Sequence, residues 1–302
     1  MARIVLIGEA MLELSRSKGA ESWALGYGGD TLNTAVHLAR AGQDAAYLTA
    51  LGGDPLSADI KPAWAAEGLD TSLVLTHPDR STGLYAISTD AAGERSFSYW
   101  RDTSAARDMF ALPAMAAALD RAGSADLLCF SLISLAILPP EGREQVLALA
   151  REVRARGGKV AFDGNYRPRL WSNAGDARNA RDAAIATADI GLPTLEDETL
   201  LSGEAGADAV ARHWTGLGCA ETIVKLGAEG CRLPDGAILA PPEVLAPVDT
   251  SGAGDAFNGG YLAARLAGAS VAEAASAGHA LAGWCVMRRG AIPPRDGSAP
   301  YA

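Results

Sequence analysis

Short apolar runs alternate with segments whose apolar positions recur every three to four residues, and this rhythm persists along almost the whole chain. Residues 4–7 have the pattern of a buried strand, 31–41 of a helix, 45–50 of a strand and 58–67 of a helix. Farther on, 126–131, 159–163, 189–192 and 221–225 read as strands, with 141–156 and 208–217 as intervening helices. The rhythm predicts an α/β fold with a mostly parallel central sheet and helices on both faces, since parallel neighbours need crossovers and doubly covered strands read as continuous apolar runs. Residues 82–89 and 94–101 instead alternate one by one, with 90–93 as a hairpin turn. With 11–15 and 23–26 they predict a small separate sheet, contributed by excursions at about 10–28 and 79–104 from one domain spanning 1–302. Such a sheet at the ligand edge would serve as a lid that excludes water.

At 302 residues and 49% hydrophobic composition, the chain can bury a substantial core. A formal charge of −10 disfavours an electrostatic grip on nucleic acid or anionic membranes, so any bound anion must be recognised locally. The apolar run before Glu9 is too short for a signal peptide, and no stretch approaches about 18 uninterrupted apolar residues. A cytoplasmic enzyme is expected. Cys129, Cys219, Cys231 and Cys285 are scattered without zinc spacing and read as reduced thiols.

The most chemical segment is Asp249-Thr250-Ser251-Gly252-Ala253-Gly254-Asp255, which runs into an apolar helical stretch. Small residues admit a phosphate to the backbone, and the free amides and dipole of a helix start favour negative charge. Asp255 beside them suits proton abstraction from an attacking hydroxyl. No Gly-Lys-Ser/Thr follows, so this is not a Walker A loop, and its late position excludes a Rossmann fingerprint. Taken alone it is equally an ordinary helix start. Gly28-Gly29-Asp30, with Asn33 one turn later, is a second loop-to-helix junction at which Asp30 can cap the helix and the glycines can admit a small ligand.

These elements, with Gly8-Glu9-Ala10-Met11-Leu12-Glu13-Leu14, Ser98-Tyr99-Trp100-Arg101, Phe162-Asp163-Gly164-Asn165-Tyr166-Arg167-Pro168-Arg169-Leu170-Trp171 and Arg289-Gly290-Ala291, resemble the ribokinase-like (PfkB) carbohydrate kinase family. The Tyr-Trp-Arg and Asn-Tyr-Arg-Pro-Arg-Leu-Trp strings resemble its acid-sugar branch. The resemblance implies a three-layer ribokinase-like fold and phosphoryl transfer from ATP to the terminal hydroxyl of 2-keto-3-deoxygluconate. It implies Asp255 as general base and Gly252, Ala253 and Gly254 as the anion hole. Gly29, Asp30 and Asn33 would contact the sugar, Tyr85 and Tyr99 would close over it, and Arg101 and Arg167 would orient its carboxylate. Lys225, Gly227, Gly230, Gly252, Gly254 and His279 would line the nucleotide site, with His279 standing where relatives often carry Asn. Mg2+ is implied as well, through an Asn-x-x-Glu element that Thr194 and Asp197 replace here, so that Asp197 would reach the ion through water. A monovalent cation and a homo-oligomer are compatible with the resemblance. The alternatives are a kinase of a neutral sugar such as fructose or ribose, or of another keto sugar acid, a nucleoside kinase, and a sugar-acid-binding regulator without turnover.

Overall fold

A computed structural model describes residues 3–16, 22–89, 95–203 and 205–301. Its strands are β1 (Arg3–Ile7), β2 (Met11–Arg16), β3 (Ala24–Gly28), β4 (Asp44–Gly52), β5 (Val74–His77), β6 (Gly83–Thr89), β7 (Arg95–Trp100), β8 (Leu127–Ser131), β9 (Lys159–Asp163), β10 (Ile190–Gly191), β11 (Glu221–Thr222), β12 (Val224–Lys225), β13 (Cys231–Arg232) and β14 (Ile238–Leu239). The helices are α1 (Asp30–Arg40), α2 (Pro55–Ala58), α3 (Ile60–Ala66), α4 (Met115–Ala122), α5 (Leu132–Ala136), α6 (Pro140–Ala155), α7 (Ala174–Ile185), α8 (Leu195–Ser202), α9 (Ala207–Gly216), α10 (Ala253–Leu266) and α11 (Val271–Val286).

The seven-stranded central sheet runs β11-β10-β9-β8-β1-β4-β5, with every pairing parallel. Because successive side chains of a strand point to opposite faces, each central strand feeds two cores. Val5, Ile7, Phe130 and Phe162 pack with Val146 and Val153 of α6, Ile185 of α7 and Trp214 of α9. Ile4, Leu6, Tyr47 and Ala161 pack with Leu32 and Val36 of α1, Trp64 of α3, and Phe257 and Leu262 of α10. The result is the three-layer arrangement the rhythm predicts.

Differences from the sequence reading are local. The helix expected over 58–67 is two pieces that meet at Asp59. The strand expected over 221–225 is split: Ile223 N still donates to Gly191 O (2.8 Å), but Val224 and Lys225 pair antiparallel with β13 in a second, three-stranded sheet. Helices α7 and α8, which the apolar rhythm does not mark, fill the gaps after β9 and β10.

The separate sheet expected as a lid has four strands, in the order β3-β2-β6-β7. Strands β2 and β6 pair in parallel because they come from separate excursions, while β6 and β7 pair as the expected antiparallel hairpin. The turn expected at 90–93 lies outside the described residues. At the root of the lid, fully buried Glu9 accepts from Nε of Arg101 (2.8 Å), from Nη2 of the same guanidinium and from the Ser104 hydroxyl. Gly29, where the first excursion returns to the core, has φ +154°, and a side chain there would strike the Glu9 carbonyl. All the chain crossings between core and lid therefore converge on Glu9.

Candidate active site

The glycine-rich segment and the first loop-to-helix junction meet at the carboxyl edge of the central sheet, where open α/β sheets bind ligands. Gly252 precedes α10 with φ +71°, and a β-carbon there would run into Ala291, so both conformation and space demand glycine. Asp255 lies in the first turn of α10 and is buried. Asn33 Nδ2 donates to Asp255 Oδ2 (2.7 Å), and the Thr34 hydroxyl donates to the Asp255 carbonyl (3.2 Å). Asn33 Oδ1, also buried, has no partner among the described residues, which leaves it an open acceptor for a ligand hydroxyl.

Asp30 does not cap α1. Gly29 occupies the cap position, and Asp30 is the first helical residue, its Oδ2 accepting from Asn165 Nδ2 (3.1 Å). Behind it, Asp163 at the end of β9 accepts from Asn258 Nδ2 (2.7 Å) and, at 3.3 Å from each oxygen, from Lys225 Nζ. Lys225 also donates to Asn258 Oδ1 (3.2 Å). Burial, reinforced by the negative charge of Asp30, pushes the Asp255 carboxyl up to about 8. Burial likewise raises Asp30.

Two cavities flank this cluster. One, of about 340 Å³, lies under the lid and is bordered by Gly29, Asn33, Tyr85, Tyr99, Ser251 and Gly252. The other, of about 300 Å³, is bordered by Lys225, Gly227, Gly230, Ala253, Gly254 and His279. The glycine turn is the partition between them. Of its three expected donors, the Ala253 amide already closes onto the Thr250 carbonyl at 3.3 Å, which leaves it the least available to an anion. His279 lies edge-on to Phe257 and bonds the Leu239 carbonyl through Nε2 (3.1 Å), a contact that requires the Nε2–H form. Tyr85 and Tyr99 face each other across β6 and β7, and the Tyr85 hydroxyl donates to Glu13.

The two arginines expected at a carboxylate do not border the lid cavity. Arg101 is buried against Glu9, because its position at the root of the lid turns it inward. Arg167 is exposed and donates to Asp197 Oδ1 (3.1 Å) and to the Tyr166 carbonyl (2.7 Å). That pairing also changes the reading of Asp197, whose carboxyl burial pushes upward and whose partner is a guanidinium. Thr194 stands at the start of α8 and bridges to Lys225 through the backbone. No group of three or more His, Cys, Asp and Glu converges to hold a metal among the described residues, and no helix is long and apolar enough to cross a membrane.

Glu9, Asp163, Asn165, Asn258 and Arg289 escaped sequence reasoning as site residues. Asp163 carried a signal, since it closes a predicted strand at the ligand edge, and Asn258 follows Asp255 by three residues on the same helix. Glu9 carried none, because its partner is 92 residues away.

Residues 1–296 match the pfkB family carbohydrate kinase. The chain is 43% identical over 304 residues to 2-dehydro-3-deoxygluconokinase of Escherichia coli, covering 97% of this chain and 98% of that protein. Among solved structures it is similar to a PfkB protein from a Polaromonas species, with 30% identity, a TM-score of 0.83 and coverage of 97% of each chain. It is also similar to aminoimidazole riboside kinase from Salmonella enterica in complex with aminoimidazole riboside and an ATP analogue, with 28% identity, a TM-score of 0.80 and coverage of 96% and 95%. With a family match across nearly its whole length, and a glycine turn between two cavities at the sheet edge, the chain belongs to the pfkB family of carbohydrate kinases.

Proposed function

We propose that the enzyme transfers the γ-phosphoryl group of ATP to the terminal hydroxyl of 2-keto-3-deoxygluconate, the same compound as 2-dehydro-3-deoxygluconate. The observation that carries the chemistry is the glycine turn that separates two cavities with Asp255 at its helix start. Identity to 2-dehydro-3-deoxygluconokinase supports the acceptor. The sugar acid occupies the lid cavity and the nucleotide the cavity beside Lys225 and His279. Asn33 fixes one carboxylate oxygen of Asp255, so the other is presented to the acceptor hydroxyl and takes its proton as the new P–O bond forms. The amides of Gly252 and Gly254 meet the charge on the transferring phosphoryl oxygens. Magnesium would enter with ATP and supply charge neutralisation at the phosphates, with Asp197 reaching it at most through water.

A base with its carboxyl near 8 must lose its proton before it can act. In the free enzyme kcat/KM is therefore expected to rise with pH, reach half its limit near pH 8 and flatten above. A profile flat from about pH 6 to 10 would remove Asp255 from this role. The lid is expected to lose mobility over the bound acceptor, with amide exchange in β6 and β7 slowed by saturating substrate. Unchanged exchange there would mark the sheet as a fixed element.

The substrate is tested by ADP release with ketodeoxygluconate, fructose, ribose, gluconate and adenosine. Preference for the keto acid is expected, and preference for fructose or adenosine overturns the assignment. The pairing of Arg101 with Glu9 is the observation that favours a neutral acceptor, since it engages a cation expected to read the acid.

A further inference from the structure

The lid cavity borders two positive side chains, Arg16 and Arg289. Arg16 lies over the Trp23 ring, 5.0 Å from its centre. Arg289 forms no hydrogen bond or ion pair among the described residues. The loop that carries it is nevertheless firmly held. Gly290 N donates to Asp249 Oδ2 (2.7 Å), and the Ala291 carbonyl accepts from His37 Nε2 (3.1 Å). Ala291 also abuts Gly252, so the loop is registered against the glycine turn. A guanidinium without a partner, carried to the cavity by a backbone held at both following residues, is free to pair with an anion there. Of the carboxylates at the cavity, Glu13 accepts from the Tyr85 hydroxyl and Asp249 from Gly290 N and Ser251 N, and neither has a hydrogen bond to Arg289.

We infer that Arg289 is a specificity-determining residue, which binds the carboxylate of the sugar acid and so selects acid over neutral acceptors. The inference rests on the proposed acid substrate and supplies the free cation that Arg101 and Arg167 do not bring to the cavity.

The test compares wild type, R289Q and R289K in steady-state phosphorylation of ketodeoxygluconate and of fructose at saturating ATP. R289Q should raise KM for the acid about tenfold to a hundredfold, the scale of losing hydrogen bonds to a charged group, with kcat little changed. R289K should recover part of the loss, and any kcat/KM for fructose should stay at the wild-type value. An exposed side chain without partners is not needed for folding, and kcat retained by R289Q reports an intact enzyme. A wild type that prefers the acid together with an R289Q of unchanged KM overturns this inference alone. Equal losses on acid and neutral sugar, or a loss confined to kcat, overturn it too. A wild type that phosphorylates fructose and ignores the acid overturns the acid-sugar reading and this inference with it.

Discussion

Asp255→Asn is expected to lower kcat by about 10²–10⁴-fold, the usual contribution of a positioned general base, while binding of both substrates stays near wild type. The substitution keeps the shape of the side chain and its bond to Asn33, since an amide oxygen accepts from Asn33 Nδ2 as a carboxylate does. The effect on stability has a defined sign. A carboxyl whose folded-state value is raised to about 8 holds its proton more tightly in the folded protein than in the unfolded chain. The stability it confers is present at acid pH and is lost as pH rises through about 8. The amide cannot ionise, so the variant should be no less stable than wild type above that pH. Single-turnover kinetics and thermal melts on the same preparation check both halves. Near-normal turnover, or a variant that melts early at alkaline pH, would contradict this account of Asp255.

The second large effect concerns the root of the lid. Arg101→Met is expected to destabilise the protein by about 3–5 kcal/mol, because it leaves the Glu9 carboxylate buried without a counter-charge. Pairing it with Glu9→Gln should recover much of the loss, since two neutral groups require no ion pair in that space. Urea denaturation of the two variants measures the difference. A stable single variant that instead loses affinity for the sugar acid would assign Arg101 to substrate binding. The alternatives thus separate cleanly into a folding readout and a binding readout.

The central sheet was legible because its signal is local. Residues 4–7, 126–131 and 159–163 are apolar runs bounded by turns, and they became β1, β8 and β9 within a residue or so. The lid hairpin was legible for the same reason, its period of two being visible without any knowledge of partners. Residues 221–225 were misread as one strand because nothing in five residues announces that Ile223 closes one sheet and Val224 opens another. Of the candidate site, the glycine turn and the acid in the first turn of its helix were legible as a loop-to-helix junction, though taken alone they read equally as an ordinary helix start. The partners that give them meaning were not, since Asn33 meets Asp255 across 222 residues and Lys225 meets Asp163 across 62. The partners that the arginines take were hidden for a related reason. A guanidinium in a suggestive string says nothing about which carboxylate stands nearer than the ligand, and Glu9 and Asp197 are such carboxylates.

The first helix pairs with residues of its own half, such as Tyr47 and Glu67, but also reaches the far end of the chain at four positions. Asn33 and Thr34 bond Asp255, His37 bonds Ala291 and Tyr301, and Arg40 bonds the Pro293 carbonyl. A ribosome makes this helix early and these distant partners last. Until α10 has emerged, α1 can pack on β1, β4 and α3 but lacks its neighbour on the α10 side, and apolar surface left open there is exposed to misassociation. Contacts of such sequence separation also close late, so this layer should be completed only once α10 is available. A chain that ends before α10 lacks Asp255, the proposed base, and with it the partner that Asn33 and Thr34 bond.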